Sequence, residues 1–300
     1  MLDLADAYDA ALNGGVWVER PPGPRLIRLT GPQRIWFLQN TITADVEGVA
    51  PGRWTESCFL DPKGRVVARF RVGVMEEEIW IDADPASGAG LAEWFLKYRF
   101  RTKVDIEPVA SRCVAVFGAP ASDVASDGSV MRAGDAVAFG SALAGVPVAD
   151  VHGEFETSLP QGPPALYDVL RIEAGVGEFG IDFGPSDLPQ EAGLTRVLSV
   201  DKGCYVGQET IARIYFRGHI NKVLRTLHFD GVDESTVVGR KLLRDGSVVG
   251  SVTSATTSPR AGAVGIGMVR VEPPAGAVVD VESGGTAVVG SVPEGTKIKS

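Results

Sequence analysis

Cysteine and histidine are scarce in this chain, and the scarcity removes several kinds of chemistry from consideration. Among 300 residues there are three cysteines, Cys58, Cys113 and Cys204, and no C-x-x-C spacing. Neither a disulfide framework nor a self-contained zinc or iron–sulfur site is expected from such a set. The three histidines, His152, His219 and His228, are too scattered to read as a metal motif, so no metal ligands are assigned. No apolar run approaches the ~20 residues needed to cross a bilayer. Neither a G-x-G-x-x-G fingerprint nor a phosphate-binding P-loop occurs. Positive charge is also short: the formal net charge is -9, which argues against a broad footprint for nucleic acid or an anionic membrane. Met1-Leu2-Asp3-Leu4-Ala5-Asp6 is acidic where a secretory or mitochondrial signal would be basic, so the expected location is the cytoplasm.

What remains is an ordinary globular composition, 44% hydrophobic and 22% charged, on a chain longer than one typical domain. A short acidic helix is expected first, then a strand at Arg25 to Leu29 and a helix started by Thr30-Gly31-Pro32 with Ile35, Phe37 and Leu38 inward. Ser57 to Leu60 and Arg65 to Val74 read as strands joined by the turn Asp61-Pro62-Lys63-Gly64. Ile79 to Ile81 is a further strand, and Leu91, Trp94, Phe95 and Tyr98 recur at helical spacing within 90–100. Strands are expected around Lys103 to Glu107 and Cys113 to Phe117. Residues 119–162 resist assignment beyond short strands and an exposed loop near Pro160 to Pro164. The mixture predicts an α+β layer architecture and not a doubly wound parallel sheet. From about Val223, valine-rich runs alternate with Gly, Asp and Ser turns, including Asp245-Gly246. This texture predicts a body over 1–222 and a small all-β domain over 223–300.

The most informative segment is Lys202-Gly203-Cys204-Tyr205-Val206-Gly207-Gln208-Glu209. The glycines permit backbone angles and close approaches closed to other residues. An ammonium near a thiol favours the thiolate, the form that attacks electrophiles or binds metal. A glycine-rich turn with an incidental cysteine is the plainer alternative. If Gly207 or Gln208 opens a helix through Arg213, the positive end of the helix dipole lies near the thiol as well.

Four blocks together resemble the aminomethyltransferase (glycine cleavage T-protein) superfamily and, within it, the YgfZ-type folate-binding branch. They are Thr30-Gly31-Pro32 with Phe37-Leu38-Gln39 and Thr43-Ala44-Asp45-Val46; Leu60-Asp61-Pro62-Lys63-Gly64-Arg65-Val66; Arg171-Ile172-Glu173-Ala174-Gly175 with Phe179-Gly180-Ile181-Asp182 and Leu188-Pro189-Gln190-Glu191; and the cysteine segment extended by Thr210-Ile211-Ala212-Arg213 and Arg217-Gly218. Gly250-Ser251-Val252-Thr253-Ser254 and Gly265-Ile266-Gly267 look like the family's terminal barrel. The resemblance implies two intertwined α+β subdomains plus a β-barrel, arranged as a three-subdomain ring around a central opening. It also implies a tetrahydrofolate-type ligand there, and partners among iron–sulfur client enzymes or their assembly factors, notably those with 4Fe–4S clusters.

On that resemblance, Glu173 is the expected pterin-recognising carboxylate, since one carboxylate accepts from both a ring N–H and the adjacent exocyclic amine; Arg171 belongs to the same block. Cys204 with Lys202 is the reactive-thiol candidate, with cluster or iron holding, attack on a one-carbon unit and oxidation sensing all open. Tyr205 packs on a ligand ring or in the core. Gln208 and Glu209 cap the following helix and pair with Arg213 or Arg217, unless those arginines reach the glutamate tail of folate. Cys58 and Cys113 read as structural. Aligning Lys63-Gly64 with the family's Gly-Gly turn puts Ala68 and Arg69 where aminomethyl-transferring members carry acidic residues. Neither accepts a proton at neutral pH, so ordinary aminomethyl transfer is not expected. The readings in competition are a folate-binding accessory protein for iron–sulfur enzymes, a folate-dependent one-carbon transferase or demethylase, and a scaffold without ligand.

Overall fold

The computed structural model describes residues 1–293 and places the chain in three β units. Helix α1 (Leu4–Asn13) leads to β1 (Gly15–Glu19), β2 (Leu26–Thr30), α2 (Arg34–Gln39), β3 (Arg53–Leu60), β4 (Val66–Val74), β5 (Ile79–Ala83), α3 (Gly88–Tyr98), β6 (Asp105–Val109) and β7 (Cys113–Gly118). Then come α4 (Ala119–Val124), β8 (Val130–Ala133), β9 (Ala136–Leu143), β10 (Val146–His152) and α5 (Ala165–Glu173). An irregular stretch with a 3-10 turn at Thr195–Val197 precedes α6 (Gln208–Arg217) and β11 (Lys222–Asp230). The chain closes with α7 (Glu234–Val237), β12 (Lys241–Arg244), β13 (Ser247–Ser258), β14 (Gly262–Arg270), β15 (Val278–Val281) and β16 (Thr286–Val289).

One five-stranded sheet has the order β3-β4-β5-β2-β6 and another the order β1-β7-β10-β9-β8; β11-β14-β13-β12-β15-β16 close into a barrel. The two open sheets are intertwined because β1, first in the chain, pairs antiparallel with β7 across the whole first sheet in sequence. This is the α+β architecture with a closed C-terminal barrel that the sequence suggested. Among the described residues no helix is long and apolar enough to cross a membrane.

Local chemistry accounts for the elements that carry the site. In β4 the side chains alternate, as a period of two requires: Val66, Ala68, Phe70 and Val72 are buried, and Val67, Arg69 and Arg71 occupy the other face. Phe70 makes an edge contact with Phe95 of α3, which seals that core. The turn after β3 forms as expected: Asp61 Oδ1 accepts from the Lys63 and Arg65 amides at 2.8 and 2.9 Å, and Gly64 has φ +79°. Residues 160–164 form a loop exposed at Pro160 and Pro164 and anchored between them. Gln161 bridges to Trp17, and Gly162 is buried with its amide on the Trp17 carbonyl at 2.9 Å.

A buried ionic cluster joins the two open sheets. Asp82 of β5 accepts from Arg25 Nε and His152 Nε2, each at 3.0 Å, and from Arg71. Arg71 also reaches Asp150 of β10 at 2.7 Å. Burial resists charging His152, but Cys113 and Asp82 outweigh it and raise its pKa to about 9. Burial alone would raise the Asp82 pKa, yet Arg25, Arg71 and His152 hold it well below the usual carboxylate range.

Removing one partner of such a cluster strands the others in low dielectric, so Asp82→Asn is expected to cost about 3–5 kcal/mol in urea unfolding. The His152 contribution has a defined pH window. A raised folded pKa stabilises fully below the unfolded value of ~6.5 and is lost as pH rises through about 9. Wild-type stability should therefore fall across that window by more than that of His152→Gln; parallel curves for the two proteins would refute it.

Candidate functional site

Above the ionic cluster lies a cavity of about 150 Å³. Its walls come from β3 and β4 (Trp54, Glu56, Arg69, Arg71), the end of β5 (Asp82, Asp84), β9, the start of α5 (Tyr167) and the loop after it (Glu178). Strand alternation thus decides its chemistry: Ala68 faces the core and Arg69 faces the cavity. Arg69 donates to Glu56 at 2.6 Å and to the Gly177 carbonyl at 2.5 Å, and lies 3.8 Å from Asp84. Arg20 stacks on Tyr167, its guanidinium 3.2 Å from the ring centroid. Among the described residues Arg20 Nε and Arg25 Nη1 are buried without a hydrogen-bond acceptor, Arg20 Nε lying 3.7 Å from Asp150 Oδ1. Burial raises the carboxyl pKa of Asp84, and burial together with Asp84 raises that of Glu178.

Of the site residues proposed from sequence, Arg171 alone lines this cavity. Its guanidinium holds Asp168 at 2.7 Å and Asp182 at 2.8 Å, and reaches Ser254 Oγ at 3.2 Å. Since Asp182 in turn accepts from Thr253 and Ser254 at 2.6 Å, Arg171 ties α5 to the barrel. Glu173 lies apart from this cavity. Its side chain is 3% exposed and accepts from Tyr8 Oη at 2.9 Å, Arg260 at 2.7 Å and Ser258. Those donors saturate the carboxylate, and it borders a different pocket, beside Thr226 and Arg260 of the barrel side.

The cysteine segment forms a second locus, assembled from the first, second and fourth sequence blocks. Gly207 has φ +80° and caps α6; a Cβ there would stand 2.6 Å from the Asp61 carbonyl and 3.1 Å from Gly64 Cα. The Asp61–Gly64 turn and the α6 N-terminus therefore interlock at a contact only glycines allow. Lys202 Nζ donates to the carbonyls of Ile42, at 2.6 Å, and Ala44, and so is committed to the chain and not to the thiol. Burial lowers its pKa to about 8 against the opposing pull of Asp45 and Glu47. Cys204 is exposed. Tyr205 packs in the core between the first sheet and the barrel, its hydroxyl buried without a hydrogen-bond partner among the described residues. Arg213 and Arg217 are exposed on α6, and among the described residues the expected pairs with Gln208 and Glu209 do not form. Helical spacing alone does not fix long, solvated side chains.

The residues that sequence reasoning missed are Arg20, Arg25, Trp54, Glu56, Asp84, Tyr167 and Glu178. No motif groups them, and the available signal was the run of arginines at alternate positions of β4.

Two outcomes follow. A Cβ at Gly207 meets both a strained φ and the Asp61 carbonyl, so Gly207→Ala should lose at least about 1–3 kcal/mol by thermal or urea unfolding. A loss under 0.5 kcal/mol, on the order of a neutral surface change, would contradict the interlock. Thiol titration of the native protein should find one reactive group, absent in Cys204→Ala. Cys58 and Cys113 are buried, and burial pushes the Cys58 pKa up, so both should react only after unfolding.

Comparison with known proteins agrees with this fold. Residues 222–294 match the glycine cleavage T-protein C-terminal barrel domain family. The Arabidopsis thaliana protein named putative transferase At1g60990, chloroplastic, is 27% identical over 96% of this chain and 73% of its own. A Mycosarcoma maydis protein named iron-sulfur cluster assembly factor IBA57 homolog, mitochondrial, is 24% identical over 75% of this chain and 60% of its own. The tRNA-modifying protein YgfZ of Yersinia enterocolitica is 26% identical over 76% of this chain and 78% of its own. In structure, the glycine cleavage system aminomethyltransferase T of Bartonella henselae superposes with a TM-score of 0.85 over 99% of this chain and 91% of its own, at 18% identity. The chain has the GcvT-like fold, carries the glycine cleavage T-protein barrel at its C-terminal end, and is similar over most of its length to proteins of the YgfZ type.

Proposed function

We propose that this protein binds a reduced folate in the cavity between its two open sheets and supports the assembly or repair of iron–sulfur enzymes, with Cys204 as its reactive thiol. The observation that carries the reading is the cavity itself. Aromatic walls from Trp54 and Tyr167 and a carboxylate at Glu178 suit a polar, planar ring. At about 150 Å³ the cavity receives one end of a folate and leaves the glutamate tail outside. Trp54 and Tyr167 would flank the ring, and Glu178 would meet its polar edge. Relatives named as an iron–sulfur assembly factor and as a tRNA-modifying protein support the wider role. The exposure of Cys204 beside the turn-and-helix interlock makes it the group a partner protein can reach.

A folate-dependent one-carbon transferase is the second reading. In its favour stand Asp84 and Glu178, cavity carboxylates that burial pushes above the ordinary carboxylate range, the direction a proton-exchanging group needs. Against it stand Ala68 in the core and Arg69 paired with Glu56, at the positions where transferring relatives are acidic.

Anaerobic calorimetry should show tetrahydrofolate binding to wild type and, unchanged, to Cys204→Ala. In cells lacking the protein, Cys204→Ala should leave 4Fe–4S enzyme activities low where wild type restores them. Full restoration by Cys204→Ala would remove the thiol from the account. Turnover of a small amine to methylene-tetrahydrofolate would put the transferase reading first.

A further inference from the structure

The connection from α3 to β6 gathers cations that the rest of the molecule does not answer. Lys97, Arg99, Arg101 and Lys103 alternate with Tyr98, Phe100 and Thr102, and no carboxylate occurs from 97 to 104, in a chain of net charge -9. Among the described residues none of these four cations enters a salt bridge; Lys97 Nζ sits instead 4.7 Å from the centroid of the Trp94 ring. The ring in their midst is held outward. Phe100 is 82% exposed and has φ +45°, a left-handed backbone that a bulky side chain rarely adopts and that costs free energy to keep. It meets Tyr98 edge-on at 6.5 Å, and Tyr98 packs on Trp94 at 6.1 Å and on buried Phe59 at 5.5 Å. The exposed ring thus ends an aromatic stack rooted in the core. The loop is clamped from behind: Gln33 Oε1 accepts from the Lys103 amide at 2.7 Å, and the Gln33 amide donates to the Lys103 carbonyl at 3.1 Å. Gly31 closes on the same carbonyl, which a Cβ there would meet at 2.7 Å. Arg99, Thr102 and Lys103 wall a depression of about 310 Å³ together with Asp105, and its only apolar side chains are Pro32 and Val104.

The geometry points to a binding site for single-stranded nucleic acid, in which an unpaired base stacks on Phe100 while Arg99, Arg101 and Lys103 meet the phosphates on either side of it. Stacking needs an exposed ring on a rigid support, and phosphates need cations whose N–H groups are free; this loop supplies both within five residues. An acidic protein surface would also answer the charge, but protein partners seat an exposed aromatic beside an apolar core, and the depression here is mostly polar. The chain as a whole repels a polyanion, so the footprint is local: few phosphates, a steep loss with salt and no grip on a duplex, whose bases are already stacked. The loop shares no wall with the cavity between the open sheets, and the site stands apart from the folate reading.

Fluorescence anisotropy on the full chain at about 50 mM salt tests this, with thermal melts as the folding control. The probes are labelled single strands of about twelve nucleotides, oligouridine RNA and oligothymidine DNA, an RNA duplex of the same length, and an oligoglutamate peptide. Wild type is expected to bind single strands and to bind the duplex and the peptide at least tenfold more weakly. Phe100→Ala should bind single strands about 5- to 150-fold more weakly, the worth of one stacked base, and Phe100→Trp should restore binding. Joint Arg99→Gln and Arg101→Gln replacement should flatten the slope of log affinity against log salt by about 1.4, at ~0.7 for each phosphate. Binding of either strand with this dependence on Phe100 supports the proposal, and the ratio between the RNA and DNA arms names the sugar that the site takes. Single-strand affinity unchanged in Phe100→Ala would overturn it. So would a duplex bound as tightly as a single strand, or no binding of either strand by wild type. Oligoglutamate bound as tightly as RNA would assign the loop to an acidic protein partner and overturn the nucleic-acid site.

Discussion

The attachment of Asp82 to Arg25, Arg71 and His152 is the constraint on which the rest depends. These groups come from both open sheets, and none of them is solvated enough to stand alone. A carboxylate that accepts from three cations fixes the distance and angle at which β5 and β10 face each other. An apolar contact of the same area would hold the sheets together but would not set their register so narrowly. With that register set, the space above the cluster cannot collapse, because Arg69, Arg71 and Arg171 are each tied to a carboxylate or carbonyl on its rim.

The cavity is thus a by-product of alternation in one strand. Ala68 and Arg69 are neighbours in sequence and point to opposite sides of the sheet. A carboxylate at 69 would face the same space with the opposite charge. The arginine instead pairs with Glu56 and approaches Asp84, while Glu178 on the same wall faces Arg171 at 3.6 Å. The barrel contributes at a distance: Arg171 and Asp182 pin the loop that carries Glu178 to Thr253 and Ser254, so β13 helps to position a wall it does not line.

Much of this was legible in the sequence where order is local. The Asp61-Pro62-Lys63-Gly64 turn, the aromatic face of α3, the start of α6 near Gly207 and the Asp245-Gly246 hairpin each follow from a few adjacent residues. Residues 119–162 were not legible because β9 and β10 interrupt their apolar residues with small and polar ones that are nonetheless buried. Gly140 has no room for a Cβ against the Ser126 carbonyl, and Asp150 and His152 are buried as members of the ionic cluster. The cysteine motif drew attention to one locus, whereas the cavity is assembled from residues that only the fold brings together. Glu173 shows the limit most clearly. Its donors Tyr8 and Ser258 lie 165 and 85 residues away, and nothing near Glu173 announces them.

The most direct test is a crystal structure of the protein with tetrahydrofolate bound. The account predicts the pterin ring between Trp54 and Tyr167, its amine edge within hydrogen-bonding distance of Glu178 and its tail leading out of the cavity. A ring seated instead against Glu173, with Tyr8, Ser258 and Arg260 displaced, would contradict it.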